Sequence, residues 1–174
     1  MERLRILGVN GSLRKNSSSH VVLDEIERLL SAKVSFHSYG NLADIPAFDG
    51  SPEDPQPVQH FKEQLKQADG IIIVTPEYAF GVPGTLKNAL DWTVGSGEVL
   101  HKPVALVTAS SLAEKGHESL QHTLTALSAN LDPSTSLLIS FIRAKIREGR
   151  VVDYETTLAI ENVAHSFLNL LRKK

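Results

Sequence analysis

The segment Gly70–Thr75 constrains the fold of this chain more than any other. It reads Gly-Ile-Ile-Ile-Val-Thr, an uninterrupted series of apolar and β-branched side chains after the glycine. A half-buried strand would alternate apolar and polar residues, whereas this run is typical of a strand buried on both faces of a parallel sheet. Because consecutive parallel strands need long crossover connections, the chain must also contain helices that cover that sheet. We therefore predict that this strand lies at the centre of an α/β fold.

Short apolar runs alternate with amphipathic segments along the rest of the chain. We predict the other four strands at 4–9, 34–39, 103–108 and 136–142. Helices are predicted after the first strand, at 58–68 and 84–93, along an apolar stripe through Leu120, Leu124, Leu127 and Leu131, and through 160–171. This alternation favours right-handed crossovers and a doubly wound sheet, whose ligands lie beyond the carboxyl ends of the strands. With 174 residues, we expect one domain spanning 1–174.

Composition excludes several classes of function. The formal net charge is −2 and the only basic run is at residues 172–174, so we expect neither nucleic acid nor an anionic membrane as a partner. The chain has no cysteine, which excludes disulfides and thiolate chemistry and suits a reducing compartment. No apolar run approaches the roughly 20 residues of a membrane span, and residues 1–9 are too short and too charged for a signal peptide. We expect a soluble, cytoplasmic protein.

Residues 8–19 couple the end of the first strand to a hydroxyl-rich helix start that contains one arginine. Glycines allow a sharp turn, while serine hydroxyls, free N–H groups and the helix dipole favour a dianion. The Gly-Lys-Ser/Thr of a nucleoside-triphosphatase loop and the third glycine of a dinucleotide loop are both missing. We predict a cradle for a terminal monophosphate. The alternative is an ordinary strand-to-helix turn in which Ser17 or Ser18 only caps the helix.

A second loop, residues 75–84, leaves the central strand at the edge of the sheet where ligands bind. Its sequence is Thr-Pro-Glu-Tyr-Ala-Phe-Gly-Val-Pro-Gly. Two prolines and two glycines favour a stiff, sharply turned backbone with little side-chain obstruction, as a flat aromatic ligand requires. Tyr78 and Phe80 are candidate walls for such a ligand. The alternative is a rigid strand-to-helix turn whose aromatic side chains pack into a core or a subunit contact.

These two loops, taken together, resemble the NADPH-dependent FMN reductase family. The resemblance is carried by Gly-Ser-Leu-Arg at 11–14 with the serines at 17–19, by Thr-Pro-Glu-Tyr at 75–78, and by Val-Pro-Gly-x-Leu-Lys-Asn-Ala-Leu-Asp-Trp at 82–92. Ile-Pro-Ala-Phe-Asp at 45–49 and Lys-Pro-Val at 102–104 also fall where that family has similar segments. The likeness spans nearly the whole chain.

Membership of that family implies a flavodoxin-like fold, with a five-stranded parallel sheet in the order 2-1-3-4-5, and non-covalent binding of FMN. The implied activity takes hydride from NADPH or NADH and passes electrons to small-molecule acceptors: quinones, free flavins, azo compounds or metal oxyanions. No catalytic proton-transfer residue is expected, because the cofactor carries the reaction. No metal site is expected from His101, His117 and His122, since His117 and His122 are five residues apart on a helix and thus poorly aligned. Family members are typically homodimers or homotetramers, which implies a subunit contact near helix 84–93 and Trp92.

The resemblance also assigns cofactor-binding positions. The first loop would hold the FMN phosphate, the second would lie along the isoalloxazine ring with backbone amides near its N5 and O4 edge, and a serine in the third would contact the flavin. Glu77 is expected to act as an exposed or intersubunit hydrogen-bond acceptor rather than as an acid. The assigned positions are Ser12, Leu13, Arg14, Lys15, Asn16, Ser17, Ser18, Ser19, Pro76, Glu77, Tyr78, Ala79, Phe80 and Ser110.

Two positions depart from the family pattern. Ala79 stands where the family commonly has asparagine, so one polar contact with the flavin is lost or left to the backbone. After Ser110, residues 111–117 read Ser-Leu-Ala-Glu-Lys-Gly-His, where the family usually has a Gly-Gly pair followed by arginine. We expect Lys115 or His117 to take over the charge of that arginine.

The alternative function on the same fold is an FMN-binding electron carrier or redox sensor that acts through a protein partner. A dedicated carrier usually presents a strongly acidic docking face, and dispersed charges with a net charge of −2 argue against one. A reductase oxidises NAD(P)H without any protein partner, whereas a carrier does not.

Overall fold

The computed structural model describes residues 3–173 and contains the predicted alternation of strands and helices. The five long strands are β1 (Arg5–Asn10), β2 (Ser35–Tyr39), β3 (Gly70–Thr75), β4 (Pro103–Ala109) and β5 (Asn130–Ile139). The five α-helices are α1 (Ser18–Leu30), α2 (Gln56–Gln67), α3 (Gly84–Asp91), α4 (Glu114–Ala126) and α5 (Tyr154–Arg172). The strands form one parallel sheet in the order β2-β1-β3-β4-β5, which confirms the predicted flavodoxin-like topology.

Strand β3 is the buried centre of the sheet, as its sequence predicts. All six of its residues are buried, and they alternate between two hydrophobic cores on opposite faces. Ile72 and Val74 pack in the core that α1 and α5 cover. Ile71 and Ile73 pack in the core that α2, α3 and α4 cover. This arrangement explains the continuous apolar run, because neither face of β3 meets water.

The boundary between α4 and β5 differs from the prediction. The helical stripe was expected to continue through Leu131, but α4 ends at Ala126 and Leu131 lies on β5. The predicted strand 136–142 therefore covers only the second half of β5 and overruns its end. Pro133 cannot donate a ladder hydrogen bond, and the pairing of β4 with β5 shifts register in this region. The Asp-Pro-Ser sequence at 132–134 is typical of a turn, and for that reason the start of the strand was missed.

The segment between β5 and α5 contains structure that the sequence analysis did not predict. A short 3-10 helix, Ile142–Lys145, leads into an antiparallel hairpin of β6 (Ile146–Arg147) and β7 (Arg150–Val151). These strands are too short to show a period-2 pattern. Val151 of this hairpin packs in the same hydrophobic core as α1 and α5.

Within residues 3–173, no helix is both long enough and apolar enough to cross a membrane. The longest helix, α5, is amphipathic: one side packs in the core, while Tyr154 and Leu158 on its other side are exposed. Such a pattern is typical of a helix that covers one face of a sheet.

Candidate functional site

The register of the parallel strands brings their carboxyl ends to one edge of the sheet. Asn10 at the end of β1 lies opposite Val74, and Thr75 at the end of β3 lies opposite Thr108 near the end of β4. Strand β5 ends at Ile139, level with the last residue of β4. The loops that follow these four strands therefore meet at the edge where ligands of doubly wound sheets bind.

These four loops enclose a cavity of about 220 Å³, which we call the cleft. The loop after β1 contributes Arg14 and the serines at 17–19, and the loop after β3 contributes Pro76, Glu77 and Tyr78. The remaining lining residues are Ala109 at the end of β4, Ser110 and Ser111 after it, and Ile142 and Arg143 after β5. Residues from all three of the predicted loops thus lie together around one space.

A buried network of hydroxyl groups shapes the loop after β1. Ser17 caps α1, since its Oγ accepts a hydrogen bond from the backbone N–H of His20 at 3.3 Å. The same oxygen lies 2.9 Å from Ser19 Oγ, which in turn donates to Asn10 Oδ1 at 2.9 Å. Asn10 Oδ1 also accepts from the backbone N–H of Ser12 at 2.8 Å. The capping role that the sequence offered as an alternative is therefore real, and it fixes the loop.

Several donors on this loop have no partner within residues 3–173. The backbone N–H groups of Ser18 and Ser19 lie in the first turn of α1 and bond to no acceptor, as expected where a helix begins. The Ser18 hydroxyl and the Arg14 guanidinium are also without a partner among those residues. Free N–H groups, a hydroxyl and a cation at a helix N-terminus are the kinds of donor that bind anions in proteins.

Gly11 holds the first loop against the end of β3. Its backbone N–H donates to the carbonyl of Val74 at 2.9 Å. A Cβ atom at this position would lie 2.2 Å from Thr75 Oγ1 and 2.8 Å from Thr75 Cβ, which no real contact allows. Only glycine permits this approach of the two loops.

Part of the first loop faces a second cavity of about 250 Å³ instead of the cleft. Ser12, Leu13 and Lys15 line this neighbouring space, and Asn16 is exposed and lines neither cavity. Asn10 and Tyr39 also line it, and the Asn10 Nδ2 and Tyr39 Oη atoms are buried there without a hydrogen-bond partner among the described residues. Burial, and secondarily the charge of Asp44, raises the pKa of Tyr39.

The loop after β3 forms a tight two-residue turn. The backbone N–H of Tyr78 donates to the Gly81 carbonyl at 3.0 Å, and the reverse bond is 2.9 Å long. Between them, Ala79 has φ +48° and Phe80 has φ +60°. Such a turn prefers Asn-Gly, and each non-glycine residue in the left-handed region costs roughly 1–2 kcal/mol. The departure at Ala79 thus affects the backbone as well as any contact with a ligand.

Glu77 connects the loops after β3 and β4. Its Oε2 atom accepts a hydrogen bond from the backbone N–H of Gly116, in the first turn of α4, at 2.6 Å. Ser110 Oγ donates to the Glu77 carbonyl at 3.3 Å. Glu77 is therefore a hydrogen-bond acceptor, as expected, but its partner lies within the same chain. A carboxylate at this position also interacts favourably with the dipole of α4.

His117 does not replace the missing arginine. Its Nδ1 lies 2.8 Å from Thr108 Oγ1 and its Nε2 lies 3.0 Å from Ser136 Oγ. Burial lowers the pKa of this imidazole, so its neutral form is favoured. Lys115 also lies outside the cleft, where its Nζ is 3.5 Å from a Glu118 carboxylate oxygen.

The second cation of the cleft is Arg143, which the sequence analysis did not single out. It lies on the 3-10 helix Ile142–Lys145, directly after the end of the predicted strand 136–142. The available signal was a basic residue just beyond the carboxyl end of a predicted strand. Ser111 and Ile142 were missed as lining residues for a similar reason, since their loops carry no recognisable motif.

The sequence profile of the NADPH-dependent FMN reductase family matches residues 4–141, which include the loops after β1, β3 and β4. The chain belongs to this family. A quinone reductase of Escherichia coli (strain K12) is 33% identical over 167 residues, covering 89% of this chain and 88% of that protein. An NAD(P)H-dependent FMN reductase of Pseudomonas aeruginosa is 32% identical and covers 86% of this chain and 85% of its own. This FMN reductase family member is therefore a flavoprotein oxidoreductase that uses FMN and NAD(P)H.

Solved structures share the fold of this FMN reductase family member. FerB, a flavoenzyme NAD(P)H:(acceptor) oxidoreductase from Paracoccus denitrificans, superposes with a TM-score of 0.85 at 23% identity and covers 98% of both chains. An archaeal flavodoxin superposes with a TM-score of 0.68 at 9% identity, covering 97% of this chain and 99% of its own. At these identities the structures confirm the architecture alone.

Replacing Gly11 by alanine should destabilise the protein, because the new methyl group must displace Thr75 or the backbone of the first loop. We expect the free energy of unfolding to fall by about 1–3 kcal/mol, as for other overpacked buried positions. Urea denaturation followed by circular dichroism measures this change. Gly95→Ala is the matched control, since a Cβ at Gly95 meets nothing within 4 Å. Equal stability of the two variants would contradict the close contact.

His117 should make stability depend on pH below its ordinary pKa of 6.5. Its pKa is lowered in the folded state, so the unfolded chain binds more protons as the pH falls through this window. The free energy of unfolding therefore decreases with falling pH. His117→Gln, which keeps a hydrogen-bonding side chain, should lose less stability than wild type between about pH 7.5 and about pH 5.5. Parallel urea titrations test this, and identical pH dependence would refute it.

Proposed function

We propose that the cleft holds FMN without a covalent bond and that the protein reduces small acceptors with electrons from NAD(P)H. In this proposal the phosphate of FMN binds at Arg14 and the serines at 17–19, the isoalloxazine lies along residues 76–80, and Ser110 contacts the ring from the third loop. The observation that carries the proposal is the convergence of these three loops around one space.

The chemistry of the lining residues fits this cofactor. The phosphate end offers unpartnered N–H groups and a guanidinium, as described above, and buried serines that are already ordered: Ser17 is 7% exposed and Ser19 is 1% exposed. The ring end offers aromatic side chains at the surface, with Tyr78 45% exposed and Phe80 69% exposed. In the tight turn, the N–H groups of Ala79 and Phe80 have no acceptor within residues 3–173. These are donors of the kind that an electron-rich ring edge requires.

FMN, when bound, supplies the hydride acceptor and the electron-transfer chemistry. The protein must position the ring and the nicotinamide, which contributes to the rate without any proton-transfer residue. Glu77 is part of this positioning, because its carboxylate accepts a hydrogen bond from the backbone N–H of Gly116 and so connects the second loop to the third. Ser12 connects the first loop to the second, since its hydroxyl oxygen lies 3.2 Å from the hydroxyl oxygen of Tyr78. Leu13, Lys15 and Asn16, which the resemblance assigns to the cofactor site, lie on the first loop but do not line the cleft.

We further propose that the acceptors include quinones, free flavin, azo compounds and metal oxyanions. The identity with the E. coli quinone reductase favours quinones among them. The open, aromatic rim of the cleft suits flat acceptors, which stack on aromatic groups. We also place the protein in the cytoplasm, without nucleic-acid partners, in keeping with the absence of cysteine and the net charge of −2.

An anaerobic titration tests the proposed activity. The protein is reconstituted with FMN and titrated with NADPH and then with NADH, while the absorbance of the oxidised flavin is recorded. We expect the band to be lost within a catalytic timescale in the absence of any protein partner. Free FMN at the same concentration is the control. Bound FMN that stays oxidised would instead identify an electron carrier or redox sensor.

We propose that the active form is a homodimer or a homotetramer. Trp92, which the sequence analysis placed near a subunit contact, is only 3% exposed and donates from Nε1 to the Pro46 carbonyl at 2.9 Å. The apolar surface around it consists of Phe48, packed edge-on against Trp92, and the exposed Val94. Light scattering after size-exclusion chromatography should give a multiple of 19.0 kDa, and a mass of 19.0 kDa would refute the proposal.

A further inference from the structure

We propose that Arg143 makes a second charged contact with the phosphate of FMN, from the segment after β5 rather than from the first loop. This inference rests on the proposed function, because it concerns how the same cleft recognises its cofactor. It adds a binding residue from the segment after β5, which is outside the motifs that indicated the phosphate cradle.

The position of Arg143 is set by backbone bonds to the third loop. The N–H of Phe141 donates to the Ser111 carbonyl at 3.1 Å, and the N–H of Ile142 donates to the Ser110 carbonyl at 3.3 Å. Phe141 adopts φ +54°, which turns the chain sharply at the end of β5. Arg143 follows directly and lines the cleft together with Ser110 and Ser111.

The turn that carries Arg143 packs on the same face of the sheet as α1. Ile142 is 2% exposed and belongs to the hydrophobic core that contains Val22 and Ile26 of α1. Val151 of the hairpin joins the same core. Since the N-terminus of α1 carries the proposed phosphate site, the turn that holds Arg143 and that site lie on the same face of the sheet, and both line the cleft.

The charges of the cleft suit a dianion. Its charged lining residues are Arg14, Arg143 and Glu77. The Glu77 carboxylate accepts a hydrogen bond from Gly116, whereas neither guanidinium has an ion-pair or hydrogen-bond partner for its side chain within residues 3–173. A phosphate monoester carries a charge of about −1.5 to −2 at neutral pH and has three strong acceptor oxygens. Two arginines can bind such a group simultaneously, each through two N–H groups.

A comparison of FMN with riboflavin isolates this contact, because the two flavins differ only by the phosphate. Dissociation constants are measured by flavin fluorescence, without NAD(P)H, for wild type, Arg143→Gln and Arg143→Lys. We expect Arg143→Gln to weaken FMN binding about tenfold or more, the effect of losing a charge-assisted hydrogen bond, and to leave riboflavin binding unchanged. Arg143→Lys keeps the positive charge but loses the planar pair of N–H donors, so its affinity for FMN should lie between those of wild type and Arg143→Gln.

Lys145→Gln is the matched control. It removes the same charge two residues further on, in the same 3-10 helix, from a side chain that does not line the cleft. We expect the affinity of this variant for both flavins to stay within about twofold of wild type, since a charge outside the cleft makes no direct contact with the ligand and is screened by salt. Circular dichroism melting curves confirm that each variant is folded.

The other outcomes overturn the inference in distinguishable ways. If wild type prefers FMN to riboflavin and Arg143→Gln keeps that preference, Arg143 does not contact the phosphate, while the proposed function stands. If FMN binding is unchanged but KM for NADPH rises, the guanidinium serves the nicotinamide nucleotide instead. Equal weakening of FMN and riboflavin would indicate a structural role. If wild type binds neither flavin, both the proposed function and the role of Arg143 fail.

Discussion

The parallel register of β1, β3, β4 and β5 is the constraint on which the site depends. In a parallel sheet with crossover helices, every strand must end at the same edge, so the loops that follow neighbouring strands are neighbours as well. The buried strand β3 lies at the centre of this arrangement, because its apolar side chains pack in the cores on both faces of the sheet. Residues as distant in sequence as Arg14 and Arg143 come to line one cavity for that reason.

Contacts between the loops then make the cleft rigid before any ligand binds. Gly11 brings the first loop against Thr75, and the bond from Gly116 to Glu77 joins the second loop to the third. Buried hydroxyls hold the helix start of α1, with Ser17 and Ser19 bonded to each other. Because these groups are already ordered in the folded protein, ligand binding does not carry the entropic cost of ordering them.

The sequence was sufficient to predict what local chemistry determines. The apolar run of β3 follows from residue types with one strong preference. A serine cap was predicted as an alternative, with Ser17 and Ser18 both open, and the structure selects Ser17. Gly11 was expected to allow a sharp turn, whereas the structure shows that it allows the close approach of the first loop to Thr75. The start of β5 was missed because Pro133 and its polar neighbours are typical of a turn, and only the pairing with β4 makes them a strand. The environment of His117 was not predictable either, since its partner Ser136 is brought to it by tertiary packing. Arg143 was missed because its position depends on where β5 ends and on the turn that follows it.

The two ends of the cleft differ in their exposure to water. Ser17 and Ser19 at the helix start are 7% and 1% exposed, whereas the tight turn at Ala79 and Phe80, just beyond the residues that line the cleft, projects its aromatic side chain into solvent. Before a ligand arrives, the N–H groups of that turn are hydrated, so each bond they form with a ligand yields only about 0.5–1.5 kcal/mol net. In the proposed binding mode, a long ligand is therefore anchored by its charged tail, and its other end remains at an open, wet rim. Molecules of different size can approach that rim without disturbing the anchor.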